Sequence, residues 1–372
     1  MNIQDIKFSR DKGQREFAMD LRKRVNEYFQ QNNISKYANA AMVTKTVVLV
    51  GTYTLLYGAI VGGFLTNPWL ALLAWTLLGV VTAGIGFSVM HDANHGAYSR
   101  NKYVNGVLGW VINLIGGFSA NWKIQHNTLH HSFTNVHGMD EDIDAGKLLR
   151  FSPDQERLWF HKFQHVYAWF LYSLMTHMWI TTKDFTQLLR YHRNGLLKQH
   201  DLSFPKVFAE LIFVKVLYYI YLLVIPLVFS PVSWWVTIIG FAMMHFALGF
   251  LLGCVFQTAH VMEAAMFPST DQDGNLENNW AVHQLMTTTN YAPNNRLLSW
   301  FVGGLNYQVE HHLFPNVCHI HYRRISKIVR ETAEEYNLPY HSLPSFRSAL
   351  KIHWNMLHSL GTGEQLPRIA AG

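Results

Sequence analysis

Four short stretches hold the groups in this sequence best suited to binding a metal. "HDANH" places His91 and His95 four residues apart. "HNTLHH" places His126 and His130 four apart, with His131 beside them. "QTAHV" supplies His260. "QVEHH" supplies His311 and His312, with Gln308 four residues before His312. On an α-helix, residues i and i+4 share a face, so each spaced pair can close on one ion. Eight imidazoles and one amide exceed what one ion takes, and two first-row metals are the natural count. Imidazole suits iron, copper, zinc and nickel. Zinc needs three or four ligands and brings no redox chemistry, so a set this large fits paired iron and oxygen chemistry better. The sequence has no H-E-x-x-H zinc-protease motif and no Glu-x-x-His pair of the carboxylate di-iron kind. Its two cysteines, Cys254 and Cys318, form no C-x-x-C pair, which argues against a thiolate zinc site, an iron–sulfur cluster or a disulfide framework.

Something must carry four clusters to one place. The chain has 372 residues, 49% of them apolar and only 15% charged, with 12 Trp, 24 Phe and 17 Tyr. Globular chains average about 25% charged residues, so the composition points to lipid contact. Four long apolar runs cover about 42–65, 69–90, 210–230 and 233–256. Each is close to the roughly 20 helical residues that span a bilayer core. "FLTNPW" joins the first two and "FSPVSW" the last two; both are short, uncharged turns containing Pro and Trp. The expected fold is therefore an all-α integral membrane protein. Four transmembrane helices form two hairpins, and a cytoplasmic helical cap holds the metal site.

Charge sets the orientation. Neither turn contains Lys or Arg. All but two of the 30 basic residues, Lys45 and Lys215, lie in the N-terminal 40 residues, in 91–206 or after 257. The positive-inside rule places those three segments in the cytoplasm, and the two exceptions are expected to snorkel. The net charge of +6 reads as membrane-side charge, since no long basic run suggests nucleic acid. His91 falls just beyond the second span and His260 just beyond the fourth. The other two clusters lie in cytoplasmic segments, so all four share one side. The run 104–118 is too short to span and reads as re-entrant or interfacial. Residues 1–40 form an amphipathic segment, 41–330 the membrane domain and 331–372 a cytoplasmic tail. Within the first segment, Phe17, Leu21, Val25, Tyr28 and Phe29 recur at helical spacing. That stripe suits a helix lying on the membrane surface and equally one packed on the domain's own core.

The remaining histidines lack this pattern. His245 lies about 22 Å along its helix from His260 and reads as a hydrogen-bonded bundle residue. His137, His161, His165, His177, His192 and His200 are assigned to surface or core. His283, His319 and His321 are close enough in sequence to support the last cluster.

"HDANH", "HNTLHH" and "QVEHH" resemble the three histidine boxes of the membrane fatty-acid desaturases. The resemblance runs from about residue 40 to 330 and includes "HHSFTNVHGMDEDID" and "GGLNYQVEHHLFP". The Gln-first third box is similar to the front-end subgroup, which desaturates between an existing double bond and the carboxyl end. The resemblance implies two iron ions held by His91, His95, His126, His130, His131, His260, His311 and His312, with Gln308 binding directly or through a water. It implies O2 as co-substrate, a fatty-acyl-CoA or acyl-lipid substrate in the membrane, and a cis double bond as product. The regiochemistry would be of the delta-5 or delta-6 kind. Many front-end members carry a fused haem domain with His-Pro-Gly-Gly, and this chain has no His-Pro dipeptide. A separate donor is implied, a ferredoxin or a cytochrome b type with its reductase. A bacterial plasma membrane is the expected address, or the endoplasmic reticulum if the source is eukaryotic. Asn121, Trp122 and Lys123 are candidates for the substrate entrance. Asp92, Asp140, Asp142, Asp144, Glu263 and Glu310 are candidates to orient imidazoles. A lipid hydroxylase of the same di-iron type is the alternative, and a non-catalytic membrane metal protein the more distant one.

Overall fold

The computed structural model describes residues 6–364, so the outermost ends of the 1–40 and 331–372 segments lie outside the described residues. The main helices, in order, are α1 (Lys12–Gln31), α2 (Ala40–Val61), α3 (Pro68–Asn94), α4 (Lys102–Leu114), α5 (Ser119–His130), α6 (164–193), α7 (Phe204–Phe229), α8 (Trp234–His260), α9 (Trp280–Thr287), α10 (Gln308–Leu313), α11 (Tyr322–Glu335) and α12 (Phe346–Thr362). The only sheet among the described residues is a two-residue parallel pair, Asn290–Tyr291 with Ser342–Leu343.

Four helices, α2, α3, α7 and α8, are long and apolar enough to cross a membrane. Each hairpin reverses through the short turn expected. Asn67 caps α3, accepting hydrogen bonds from the amides of Trp69 and Leu70. Large apolar side chains stand exposed along the spans, among them Val47, Leu55, Trp69, Phe213 and Trp234, as lipid-facing surfaces require. Between α3 and α8 the backbones close tightly. A Cβ on Gly79 would lie 2.2 Å from the carbonyl oxygen of Met244, so only glycine fits there.

Two spans differ from the expected ones at their histidine-bearing ends. α3 continues through a π-turn, Ile85–Met90, to Asn94, and α8 runs to His260. His91 and His260 therefore sit within their helices, not just beyond them. The run near 104–118 is the helix α4, bent by 111° into α5, in keeping with a segment that does not cross straight through.

The two basic residues inside the spans do not snorkel to water. Lys45 donates to Nε2 of His319 at 3.1 Å. Lys215 donates to Asp184 at 2.5 Å and to the carbonyls of Gly116 and Trp179 at 2.8 and 3.0 Å. Both lysines are buried, and such partners are what a buried ammonium requires.

α1 packs on the domain's own core. Its buried stripe Phe17, Leu21, Val25 and Phe29 meets Ile325, Val329 and Ala333 of α11, with Leu285 of α9 and Val309 of α10. Burying each large side chain contributes about 1.5–3 kcal/mol. The chain after 330 is woven into the same body. Met356, Leu357 and Leu360 of α12 pack with Ile143, Phe151, Tyr172 and Val261. His245 is held by the hydroxyls of Tyr218 (2.7 Å) and Thr176 (3.1 Å), as a bundle residue should be.

Candidate metal centre

Each cluster reaches the site on a different element. α3 carries His91 and His95 at its end, α5 and the residue after it carry His126, His130 and His131, α8 ends on His260, and α10 carries His311 and His312. Residues Lys123–His130 of α5 are wound as a π-helix, a geometry that often marks functional sites.

The imidazoles fall into two groups. Ring nitrogens of His91, His95, His126 and His311 lie within 4.8 Å of one another, and so do those of His130, His260 and His312. His131 stands between the groups. Its Nε2 is 3.0 Å from that of His311 and 3.3 Å from that of His126. His126 and His130, expected to be able to close on one ion, do lie within reach of one together with Asp142, their rings stacked at 5.2 Å, and each also joins a different group of imidazoles.

Five of the Nδ1 atoms point outward to oxygen, while those of His91 and His131 are buried without a hydrogen-bond partner. His130 Nδ1 lies 3.0 Å from both carboxylate oxygens of Asp140. His126 Nδ1 is 3.4 Å from Asp142, His312 Nδ1 2.8 Å from Gln284 Oε1, His311 Nδ1 3.3 Å from the Tyr322 hydroxyl, and His260 Nδ1 3.4 Å from the Thr287 carbonyl. A proton on each of these five leaves the Nε2 lone pair facing inward. Nε2 of His91 is then 3.3 Å from Nε2 of His126. Nε2 of His260 and His312 and both amide atoms of Gln308 are buried without any partner. Buried polar atoms are rarely left so. Converging lone pairs and orphaned donors are what a cation site looks like from the protein side. Burial first, and then the neighbouring imidazoles, hold His131, His311 and His312 well below the usual imidazole range, so the rings stay neutral and able to bind metal.

The candidate orienting carboxylates separate. Asp140 and Asp142 touch imidazoles. Asp92 lies 4.0 Å from His91 Nδ1 and mainly accepts from His319 Nδ1 at 2.7 Å and from Cys318 at 3.0 Å, tying the first box to the segment after the third. Glu310 holds no imidazole; it accepts from Tyr340 and Asn290 at 2.8 Å each, fixing α10. Its burial pushes it up to about 7, against those two hydrogen bonds. Asp144 and Glu263 are exposed and do not serve this role. Of the nearby histidines, His319 backs Asp92, His283 meets the Thr134 carbonyl at 2.9 Å, and His321 meets the Tyr37 carbonyl at 3.2 Å. Gln284, Tyr322 and Thr134 were not foreseen, because they stand outside the boxes with no spacing signal. Gln125, immediately before the second box, bonds to Asp142 and could have been noticed from its place beside His126.

The three candidate entrance residues part as well. Trp122 stacks on His126 with centroids 4.5 Å apart and lies 5.7 Å from both His91 and His95. It lines a small pocket of about 10 Å³, room for about one water, with Ile112, Phe118, Gln125, Trp179 and Asp184. Asn121 donates to the Asp184 carbonyl at 2.7 Å, whereas Lys123 faces outward.

Long apolar helices ending on clustered, inward-facing imidazoles define a membrane-bound histidine-rich oxidoreductase, and the family profile of the fatty acid desaturases matches residues 67–344. The chain belongs to that family. It is 34% identical to the sn-1 linoleoyl-lipid 6-desaturase of Arthrospira platensis over 362 residues, 95% of each chain. It is 33% identical to the protein of the same name from Synechocystis, covering 97% of this chain and 99% of the relative. The acyl-lipid (8-3)-desaturase of Physcomitrium patens is 33% identical over 94% of this chain and 72% of its own.

Proposed function

We propose that this protein is a di-iron, O2-dependent acyl-lipid desaturase of the front-end type, working at the cytoplasmic face with a separate electron donor. The observation that carries the reading is the double grouping of eight imidazoles at the inner ends of two spans. Bound there, a pair of irons supplies dioxygen activation for removing two hydrogens from adjacent methylenes. His91, His95, His126 and His311 would hold one ion, and His130, His260 and His312 the other, with His131 between them. Gln308 precedes His312 by one turn on α10 and shares its face. Its unpaired amide fits the group with fewer imidazoles, directly or through a water.

The chain's own groups prepare the site. Asp140, Asp142, Gln284 and Tyr322 keep protons on the outer ring nitrogens. Trp122 packs against His126, His91 and His95 and would help exclude water where the acyl chain meets the centre. The activities for which the relatives are named support an acyl-lipid substrate and a double bond near the carboxyl end. The test is expression in a host lacking such lipids, with metal analysis of the purified protein. A new cis double bond at the front-end position and about two irons per chain are expected. A hydroxylated lipid, or one stoichiometric zinc, overturns the reading.

A further inference from the structure

We infer that the exposed basic face at the start of α11 is the docking surface for a small acidic one-electron carrier protein. The inference rests on the proposed function and names where its donor binds. Arg323, Arg324 and Lys327 are exposed on α11. The first turn of this helix has no acidic residue and its last turn no basic one. Basic groups therefore stand at the N-terminal end and Glu331, Glu334 and Glu335 toward the C-terminal end, each opposing the helix dipole. Local helix stability does not explain that pattern. Glu335 is paired with Arg24 at 2.5 Å. Arg324 has only a 3.5 Å contact to the Tyr28 hydroxyl, and the side chains of Arg323 and Lys327 have no hydrogen bond or ion pair among the described residues.

A buried contact also leads from this end of α11 to the centre. Tyr322, adjacent to Arg323, is buried and its hydroxyl lies 3.3 Å from Nδ1 of His311. The start of α11 thus reaches a proposed iron ligand through one side chain and one hydrogen bond. The electron count requires such an entry. Dioxygen takes four electrons on becoming two waters; two come from the C–H bonds broken, and two must arrive from the carrier, one at a time. A basic patch suits an acidic carrier, because complementary charge steers encounter and fixes register. An anionic lipid surface fits less well. The core that α11 shares with α1, α9 and α10 includes no residue of the four long apolar helices.

The experiment uses the full chain in nanodiscs of zwitterionic lipid, with a plant-type [2Fe–2S] ferredoxin as probe. The Arg323→Glu/Arg324→Glu/Lys327→Glu variant should bind ferredoxin at least tenfold more weakly at low salt and lose the salt dependence of the wild type. Turnover driven by dithionite should be unchanged, which shows an intact centre. Arg323→Gln/Lys327→Gln serves as the milder variant and should weaken binding severalfold. Ferredoxin affinity within twofold of wild type in both variants overturns the inference. So does an effect that appears only in discs containing anionic lipid, because the patch would then hold lipid. If the wild type desaturates nothing with either reductant, the proposed function fails, while the affinity comparison still decides the docking surface.

Discussion

Asp140→Asn is the sharpest probe of the centre, because it changes one atom at a fully enclosed position. Asp140 is 1% exposed. Its two oxygens share His130 Nδ1 at 3.0 Å. One also accepts from the amide of Asp142 at 2.9 Å and the other from the amide of Asn135 at 2.8 Å. An asparagine has a single carbonyl oxygen. In either orientation its NH2 faces a backbone N–H, leaving one buried donor unpaired at a cost of about 1–3 kcal/mol. His130 also loses the charge that fixes its outer proton. Removing such a partner typically lowers metal affinity or activity about 10- to 100-fold, or about 1.4–2.7 kcal/mol. The assay is bound iron, the unfolding midpoint with and without chelator, and product yield, measured beside Asp144→Asn as an exposed control. Both iron retention and midpoint should fall in Asp140→Asn alone. Wild-type iron content and yield within twofold would refute the assignment of Asp140 as the group that orients His130.

Gln308→Ala should impair turnover with a smaller loss of iron than His312→Ala, and Gln308→His should keep metal but lose or redirect activity; full activity in Gln308→Ala with the double bond unmoved removes Gln308 from the site. Gly303 has φ +62°, and a Cβ there would lie 2.1 Å from the Phe87 carbonyl oxygen, so Gly303→Ala should destabilise by more than about 3 kcal/mol, read as loss of folded protein after extraction. Metal-free protein should be acid-sensitive. His131, His311 and His312 lie below their unfolded value in the folded state, so stability present above about pH 6.5 is lost as pH falls, by up to about 1.4 kcal/mol per pH unit per ring; an unfolding midpoint unchanged between pH 7.5 and 5.5 contradicts this. A cysteine placed at Ser233, in the second short turn, should react with an impermeant reagent only from outside, and labelling from the cytoplasmic side would break the four-span orientation.

The histidine boxes were legible because each is contiguous. What the sequence hid follows from long-range geometry. Helical spacing brought His126 and His130 together, but nothing in "HNTLHH" announces the π-winding of Lys123–His130 or that each ring also joins a different group of imidazoles. The surface or core location of α1 depended on whether another helix offered a matching stripe. α11 does, with Ile325, Val329 and Ala333. Gln284 reaches His312 from 28 residues away, a contact that only the folded chain makes.

The two lysines inside the spans show why so much of this site depends on partners distant in sequence. A charge buried in a chain with few charges is costly unless it is paired, so each lysine is expected where its partners accomplish something else. Lys45 on α2 holds His319, which holds Asp92, so one chain of contacts links the first span to the first box and to the segment after the third. Lys215 on α7 holds the Gly116 carbonyl at the bend before α5, and Asp184 beside the small pocket, so the third span fixes the approach of the second box. The spans thus set the register between boxes as well as anchoring the protein. Truncating either lysine would strand a carboxylate or an imidazole in a dry interior, and the boxes would lose their alignment before the spans lose their fold.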